Sequence, residues 1–320
     1  MILKTISILV LIGLATLLLL NLFYVLVVRY NDQEEEIRRG SKVKNKYDIV
    51  AFGSSYCRYA FDFTETGKTG YNFGVVAQFL YYTDLMIRSF RKCYKCNPLI
   101  IIVLPNLVFG EPGKGKYGAS RYVRFVDKRL LGDEYSIKNL LFQKYFPLFV
   151  PSPSNLIKCL KRIFSYTPKN EYRSLEHNQL PIDEVKFQAI QRCNDWCKEF
   201  NLENTSTAVV PTELQKKFDE SVKILEGIID YCLDEGLRPA LVIAPASTVM
   251  QQYCTKEFLE KVLYSNIRKG NKKNIPVLDY YTDERFSDMD LYANNADFLN
   301  ARGRRLFTKA VVDDLAKIYD

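Results

Sequence analysis

The stretch "YDIVAFGSSYCRYAFD", residues 47–62, runs apolar and aromatic residues into Gly-Ser-Ser and then turns polar. Hydrophobicity that is continuous rather than alternating fits a strand covered on both faces, and the small residues that end it fit a turn at its carboxyl end. Similar runs follow at 70–73 ("GYNF"), 99–105 ("LIIIVLP"), 239–245 ("PALVIAP") and 275–280 ("IPVLDY"). Segments with helical spacing lie between them. One carries the stripe Leu214, Phe218, Val222, Leu225, Ile229 and Leu233, with a capping box expected from Thr212 and Gln215 and a stop at Gly236. "QFLYYTDLMIRSF", "KEFLEKVLYSNIRK" and "RRLFTKAVVDDLAKIY" read the same way, the last entered from Asn300. Strand and helix in alternation predict an α/β three-layer sandwich with a mainly parallel sheet and right-handed crossovers.

Working back to the amino terminus, Thr5 to Val28 carries no charge, and roughly 20 apolar residues suffice to span a bilayer as a helix. Bulky residues in "NLFYVLVVRY" argue against a cleavage site, so the reading is a retained anchor. The expected organisation is a transmembrane signal-anchor at 1–29, a charged linker at 30–46 and an α/β domain over 47–320. A helical and loop insertion at about 106–211 is expected to lie over the sheet's carboxyl edge. The basic residues Arg29, Arg38, Arg39, Lys42, Lys44 and Lys46 follow the anchor, and by the positive-inside tendency they place the large domain in the cytoplasm.

Of 320 residues, 48% are hydrophobic, which excludes a disordered chain. The net charge of +8 is spread out apart from "RRGSKVKNK", a run that suits anionic lipid headgroups. No Arg-rich helix or aromatic signature points to nucleic acid. Of the eight cysteines, Cys93 with Cys96 and Cys193 with Cys197 could form a four-sulfur zinc site, but each half is a common spacing and buried free thiols are the simpler expectation. "GEPGKGKY" offers Gly110, Gly115 and Lys116 of a phosphate loop, yet Tyr117 stands where Ser or Thr must hold magnesium. Neither a metal nor a cofactor is therefore expected.

The residues around the strand ends resemble the SGNH/GDSL hydrolase superfamily, over 47–110 and 212–320. The resemblance implies an SGNH/flavodoxin-like sheet, a nucleophile at Ser55 in Gly53-Ser54-Ser55, and an oxyanion hole from the Gly74 N–H in "YNFGVV" and Asn106 in "VLPNLVF". The family's usual Gly-x-Asn-Asp is absent at Asn106. In "NNADFLN", Asn295 and Phe298 stand where the family carries its Asp and His, so the base and its orienting acid are both missing. A serine hydroxyl is a poor nucleophile until a base takes its proton.

The single histidine, His177 in "SLEHNQLP", is a candidate substitute base, with Glu176 or Asp183 nearby in sequence. Asp288, Asp290 and Asp297 are read as turn caps or as carboxylates that polarise the pocket. Membrane-anchored members of the superfamily imply an esterase or O-acyltransferase acting on cell-envelope polysaccharide, on the outer side of the membrane, against the charge count. Such members include the D-alanine transfer protein of teichoic acid synthesis and the partners of membrane-bound O-acyltransferases. The expected partners are the bilayer through residues 5–28, an envelope glycan and a membrane-bound acyltransferase. The alternative is a fold kept without turnover, which binds glycan or scaffolds a membrane complex.

Overall fold

The computed structural model describes residues 2–29, 33–114, 119–134, 136–149, 154–164, 181–206, 209–293 and 297–319. The chain divides into two compact units, one of Met1–Ser41 with Tyr117–Asn170 and the other of Lys42–Lys116 with Glu171–Asp320. The expected insertion at 106–211 is thus shared between them.

The larger unit is built on five strands: β1 (Tyr47–Phe52), β2 (Gly70–Asn72), β3 (Tyr94–Val103), β4 (Arg238–Ile243) and β5 (Val277–Asp279). All pair in parallel, in the order β2-β1-β3-β4-β5. Ile49, Val50, Ala51 and Phe52 are all buried, because both faces of the sheet are covered. Alternate strand residues Ile49, Ala51, Ile101, Val103, Ala240 and Val242 pack with Phe307, Val311 and Leu315 of α14 (Ala301–Tyr319). On the other face Phe52 stacks on Phe73 at 5.2 Å, and both rings meet Phe90, the residue that ends α4 (Leu80–Ser89). Helix α10 (Thr212–Asp234) packs with α4, with β4 and with α13 (Ser265–Gly270). The expected three-layer α/β arrangement is what the chain adopts.

Local details differ from the sequence reading in instructive ways. Pro211, not a capping box, precedes α10: no side chain caps it, and Gln215 Nε2 instead donates to Asp219 Oδ1 at 3.0 Å. Gly236, at φ +66°, does end the helix, with the Leu237 N–H on the Cys232 carbonyl. The Asn300 side chain accepts from the Gly303 N–H at 3.0 Å and so opens α14. "KEFLEKVLYSNIRK" is one helical run in three pieces, α12 (Lys256–Leu259), a π turn (Glu260–Tyr264) and α13. Strand β3 begins at Tyr94, so Cys96 lies within it. Helices α9 (Ile182–Phe200) and α11 (Thr248–Tyr253) pack on each other, and α3 (Ser55–Arg58) is a single turn after β1.

In the smaller unit, α1 (Ile2–Phe23) continues through a π turn at Tyr24–Val28, and most of its apolar side chains are exposed. The stretch Lys4–Val28 is long and apolar enough to cross a membrane. The run read as a charged linker is partly helical: α2 (Gln33–Gly40) buries Glu35 and Ile37. Glu35 pairs with Arg38 and, at 2.9 Å, with Arg124, while Glu34 meets Arg121 at 2.9 Å. Paired cations let so charged a helix pack down. The remaining helices are α5 (Ala119–Tyr122), α6 (Lys128–Leu131), α7 (Ile137–Tyr145) and α8 (Ser154–Phe164).

Candidate functional site

Strand order 2-1-3-4-5 reverses direction between β1 and β3, and in open parallel sheets the crevice outside the carboxyl ends at that reversal is where ligands bind. Gly53 leaves β1 there at φ +150°, and a Cβ on it would lie 2.9 Å from the Val103 carbonyl oxygen at the end of β3. Only glycine fits, for both conformation and space. Ser54 then turns the chain into α3, its carbonyl accepting from the N–H groups of Cys57 and Arg58. This puts Ser55 at the first position of α3, half-buried, with no hydrogen bond from its hydroxyl to any described residue.

The turn is held by a residue the sequence reading passed over. Asn72, the last residue of β2, donates its amide to the carbonyls of Cys57 (2.9 Å), Arg58 (3.1 Å) and Phe61 (3.1 Å). Its Oδ1 accepts from the Gly74 N–H at 2.9 Å and from the Cys57 thiol at 3.3 Å. Gly74 presses so closely on α3 that a Cβ would fall 2.5 Å from the Arg58 nitrogen. An oxyanion calling on the Gly74 N–H has to compete with Asn72 for it.

Asn106, three residues beyond β3, is buried and donates to the Cys254 sulfur, a weak acceptor, at 3.4 Å; its second amide hydrogen has no partner among the described residues. Burial pushes the Cys254 thiol up to about 12, so it stays protonated and is no nucleophile at neutral pH.

Tyr56, next to Ser55 in the chain, belongs to a buried polar cluster that links distant parts of the sequence. The Tyr56 hydroxyl donates to Asp297 Oδ2 at 2.7 Å, and Arg192 Nε, from α9, stands 3.3 Å from the same oxygen. Asp297 Oδ1 is buried with no hydrogen-bond partner among the described residues. Burial raises the Asp297 carboxyl above its ordinary range, against the opposing pull of Arg192 and the Tyr56 hydroxyl. Tyr56 is raised as well, by burial first and then by the Asp297 charge. Tyr56 and Asp297 are 241 positions apart, which explains why no local pattern announced the pair.

Phe298, at the position read as a lost histidine, meets the ring of Tyr56 edge-on at 5.3 Å and that of Tyr59 at 4.9 Å. An aromatic side chain therefore flanks the serine turn. Asp288 caps a short turn through the Asp290 N–H, as expected of carboxylates in "DERFSDMD", and Asp283 does the same for Arg285. Asp183 is exposed in the first turn of α9 and pairs with Lys186 at 3.8 Å. His177, Glu176 and Asn295 lie outside the described residues, as do Gly115, Lys116 and Tyr117. Among the described residues no three His, Cys, Asp or Glu side chains converge on a metal-sized site. Cys93 is buried and Cys96 exposed, and all eight cysteines are unbridged thiols.

No protein-family profile matches the chain, and no curated protein does. Among solved structures it is similar to a "putative lipolytic protein of G-D-S-L family" from Desulfitobacterium hafniense DCB-2. That match has a TM-score of 0.39 and 11% identity, over 83% of this chain and 97% of the other. It is also similar to a "putative platelet activating factor" from Streptococcus pneumonia, with a TM-score of 0.42 and 13% identity over 88% of this chain and 91% of the other.

Proposed function

We propose that the protein is a membrane-anchored esterase or O-acyltransferase of the SGNH type, in which Ser55 attacks an acyl ester of a cell-envelope polysaccharide. One observation carries the proposal: Ser55 and Asn106 follow β1 and β3, the two strands between which the sheet order reverses. In the reaction Ser55 Oγ adds to the ester carbonyl while a base takes its proton. The tetrahedral oxyanion accepts from the uncommitted hydrogen of Asn106 Nδ2 and from the Gly74 N–H, once that N–H leaves Asn72. Collapse expels the alcohol, and the acyl-serine passes to water in an esterase or to a sugar hydroxyl in a transferase. His177 is the base in this reading, because it is the chain's single histidine. The bilayer holds α1, the catalytic unit faces the envelope, and a membrane-bound acyltransferase is the partner that supplies or receives the acyl group.

A second reading is favoured by the aromatic flank. Phe298, at the sequence position where the family carries its histidine, packs on Tyr56 and Tyr59, and the Gly74 N–H is already bonded. On that reading the crevice binds glycan or scaffolds a complex without turnover. Hydrolysis of p-nitrophenyl acetate by the full-length protein in detergent separates the two. The catalytic reading expects Ser55→Ala to fall to the uncatalysed rate, and Asn106→Ala to lower kcat by about 10²–10³ with little change in KM. Equal rates for wild type and Ser55→Ala would rule it out.

A further inference from the structure

Helix α1 carries one amide in its apolar stretch, Asn21, and it is buried. An unpaired amide in hydrocarbon is costly, and here both ends of it are used. Asn21 Nδ2 donates to the Tyr145 carbonyl at 2.8 Å, and its Oδ1 accepts from the Leu148 N–H at 3.2 Å. The Tyr145 carbonyl ends α7, where a helix's last carbonyls have no internal partners, and Leu148 lies in the short turn that follows, Pro147–Phe149. The Cys159 thiol of α8 donates to the Leu20 carbonyl at 3.8 Å, and Cys159, Leu148 and Tyr24 form a small core with Leu20, Phe23 and Val28. Helices α7 and α8 therefore grip the last third of the apolar span, the part that lies within about 12 Å of its end at 1.5 Å per residue.

What these two helices do not bury is equally informative. On α8, Leu156, Ile157, Leu160, Ile163 and Phe164 fall on one arc and are all exposed, Phe164 by 85%. Lys158, Lys161 and Arg162 occupy positions on the opposite arc. On α7 and the turn after it, Leu141, Phe142, Tyr145, Phe146 and Phe149 are exposed too. On α1 itself, Leu18, Leu19, Leu22 and Leu26 are exposed in the same stretch that holds Asn21. A helix with a broad apolar face and lysines and arginine opposite is the pattern that lies in the plane of a bilayer interface.

We infer that α7 and α8 lie in the membrane interface, their apolar faces in the acyl chains and the basic positions of α8 at the headgroups, tied to the span through Asn21 and Cys159. This rests on the reading of α1 as membrane-spanning. The occupant is the bilayer, since a helix whose own exposed side is lipid-facing cannot hold the two helices without carrying them into the same medium. The span also ceases to be a bare tether, because its end is fixed to the fold over 137–164.

Bromolipid quenching of the full-length protein tests it, in vesicles of phosphatidylcholine and phosphatidylglycerol with or without brominated chains. Trp196 is the only tryptophan, so Trp196→Phe gives a silent background. Phe164→Trp and, as a second site, Ile157→Trp are expected to lose emission as much as Leu11→Trp in the middle of α1, while Leu306→Trp on α14 loses none. Quenching at Leu11→Trp but at neither α8 site would overturn the inference and leave the span intact, assigning the apolar face to a protein partner or a second copy. No quenching at Leu11→Trp would instead sink the reading of the span itself. Quenching at Leu306→Trp as well would mean general adsorption and would also overturn the inference.

Discussion

Replacing Asn72 by aspartate tests whether the serine turn is held as described, because the two obvious roles of this residue predict opposite results. As an ordinary turn residue, Asn72 would only accept from the Gly74 N–H, which an aspartate does equally well. In the structure its Nδ2 also faces the carbonyls of Cys57, Arg58 and Phe61, all within 3.1 Å. Two amide hydrogens serve those three acceptors, so the side chain contributes about three hydrogen bonds with the one from Gly74, at about 1 kcal/mol net each. Asn72→Ala is expected to cost about 3 kcal/mol, which lowers the melting temperature of a domain of this size by about 6–12 °C. Asn72→Asp is expected to cost more than Asn72→Ala, since it sets a carboxylate against three carbonyls. Thermal melts followed by Trp196 fluorescence report the larger unit, which contains that residue. An Asn72→Asp variant that melts with wild type would refute the description of the turn.

Gly53→Ala would place a Cβ 2.9 Å from the Val103 oxygen and 3.1 Å from the Cys57 Cβ at φ +150°. Backbone strain of about 1–3 kcal/mol and crowding of about 1–3 kcal/mol both apply, so the same melts should show a loss of at least about 4 °C, and a loss under about 1 °C would count against the geometry. Asp297 gives a pH signature. Its carboxyl is raised in the fold, so the folded state holds the proton more tightly than the unfolded chain, and the contribution of this residue is most favourable below the unfolded pKa and declines as pH rises through the folded one. Asp297→Asn has no such decline. The stability of the variant relative to wild type should therefore increase from acid toward neutral pH in paired melting curves, and a difference independent of pH would show that the carboxyl is not raised.

The sheet was legible because a parallel strand buried on both faces writes itself as an unbroken apolar run, as "DIVAF" and "LIIIV" do. Gly236 and Asn300 were legible because a helix end needs a local residue type. Thr212 misled because Pro211, fixed in φ and lacking an N–H, already suits the start of the helix, leaving Gln215 free to bond along its own surface. The glycine at 53 could be read as a turn, but its reason, the carbonyl at Val103, lies on another strand. Asn72, Arg192 and the Tyr56 to Asp297 bond were illegible for the same cause: each acts across the sheet edge on residues remote in sequence, and none has a spacing that repeats. The packing of α2 was hidden in a run read only as a charged linker, because charge alone does not reveal that Arg121 and Arg124 pair with its glutamates.

The central claim is that Ser55 is an activated nucleophile at the reversal point of the sheet. Intact-mass analysis of the detergent-solubilised protein after treatment with a fluorophosphonate tests it directly, with wild type, Ser55→Ala and His177→Ala side by side. The account predicts one adduct per wild-type chain that both substitutions abolish. An unmodified wild-type chain, under conditions that label an active serine esterase to completion, would contradict it and leave the crevice a binding site without turnover.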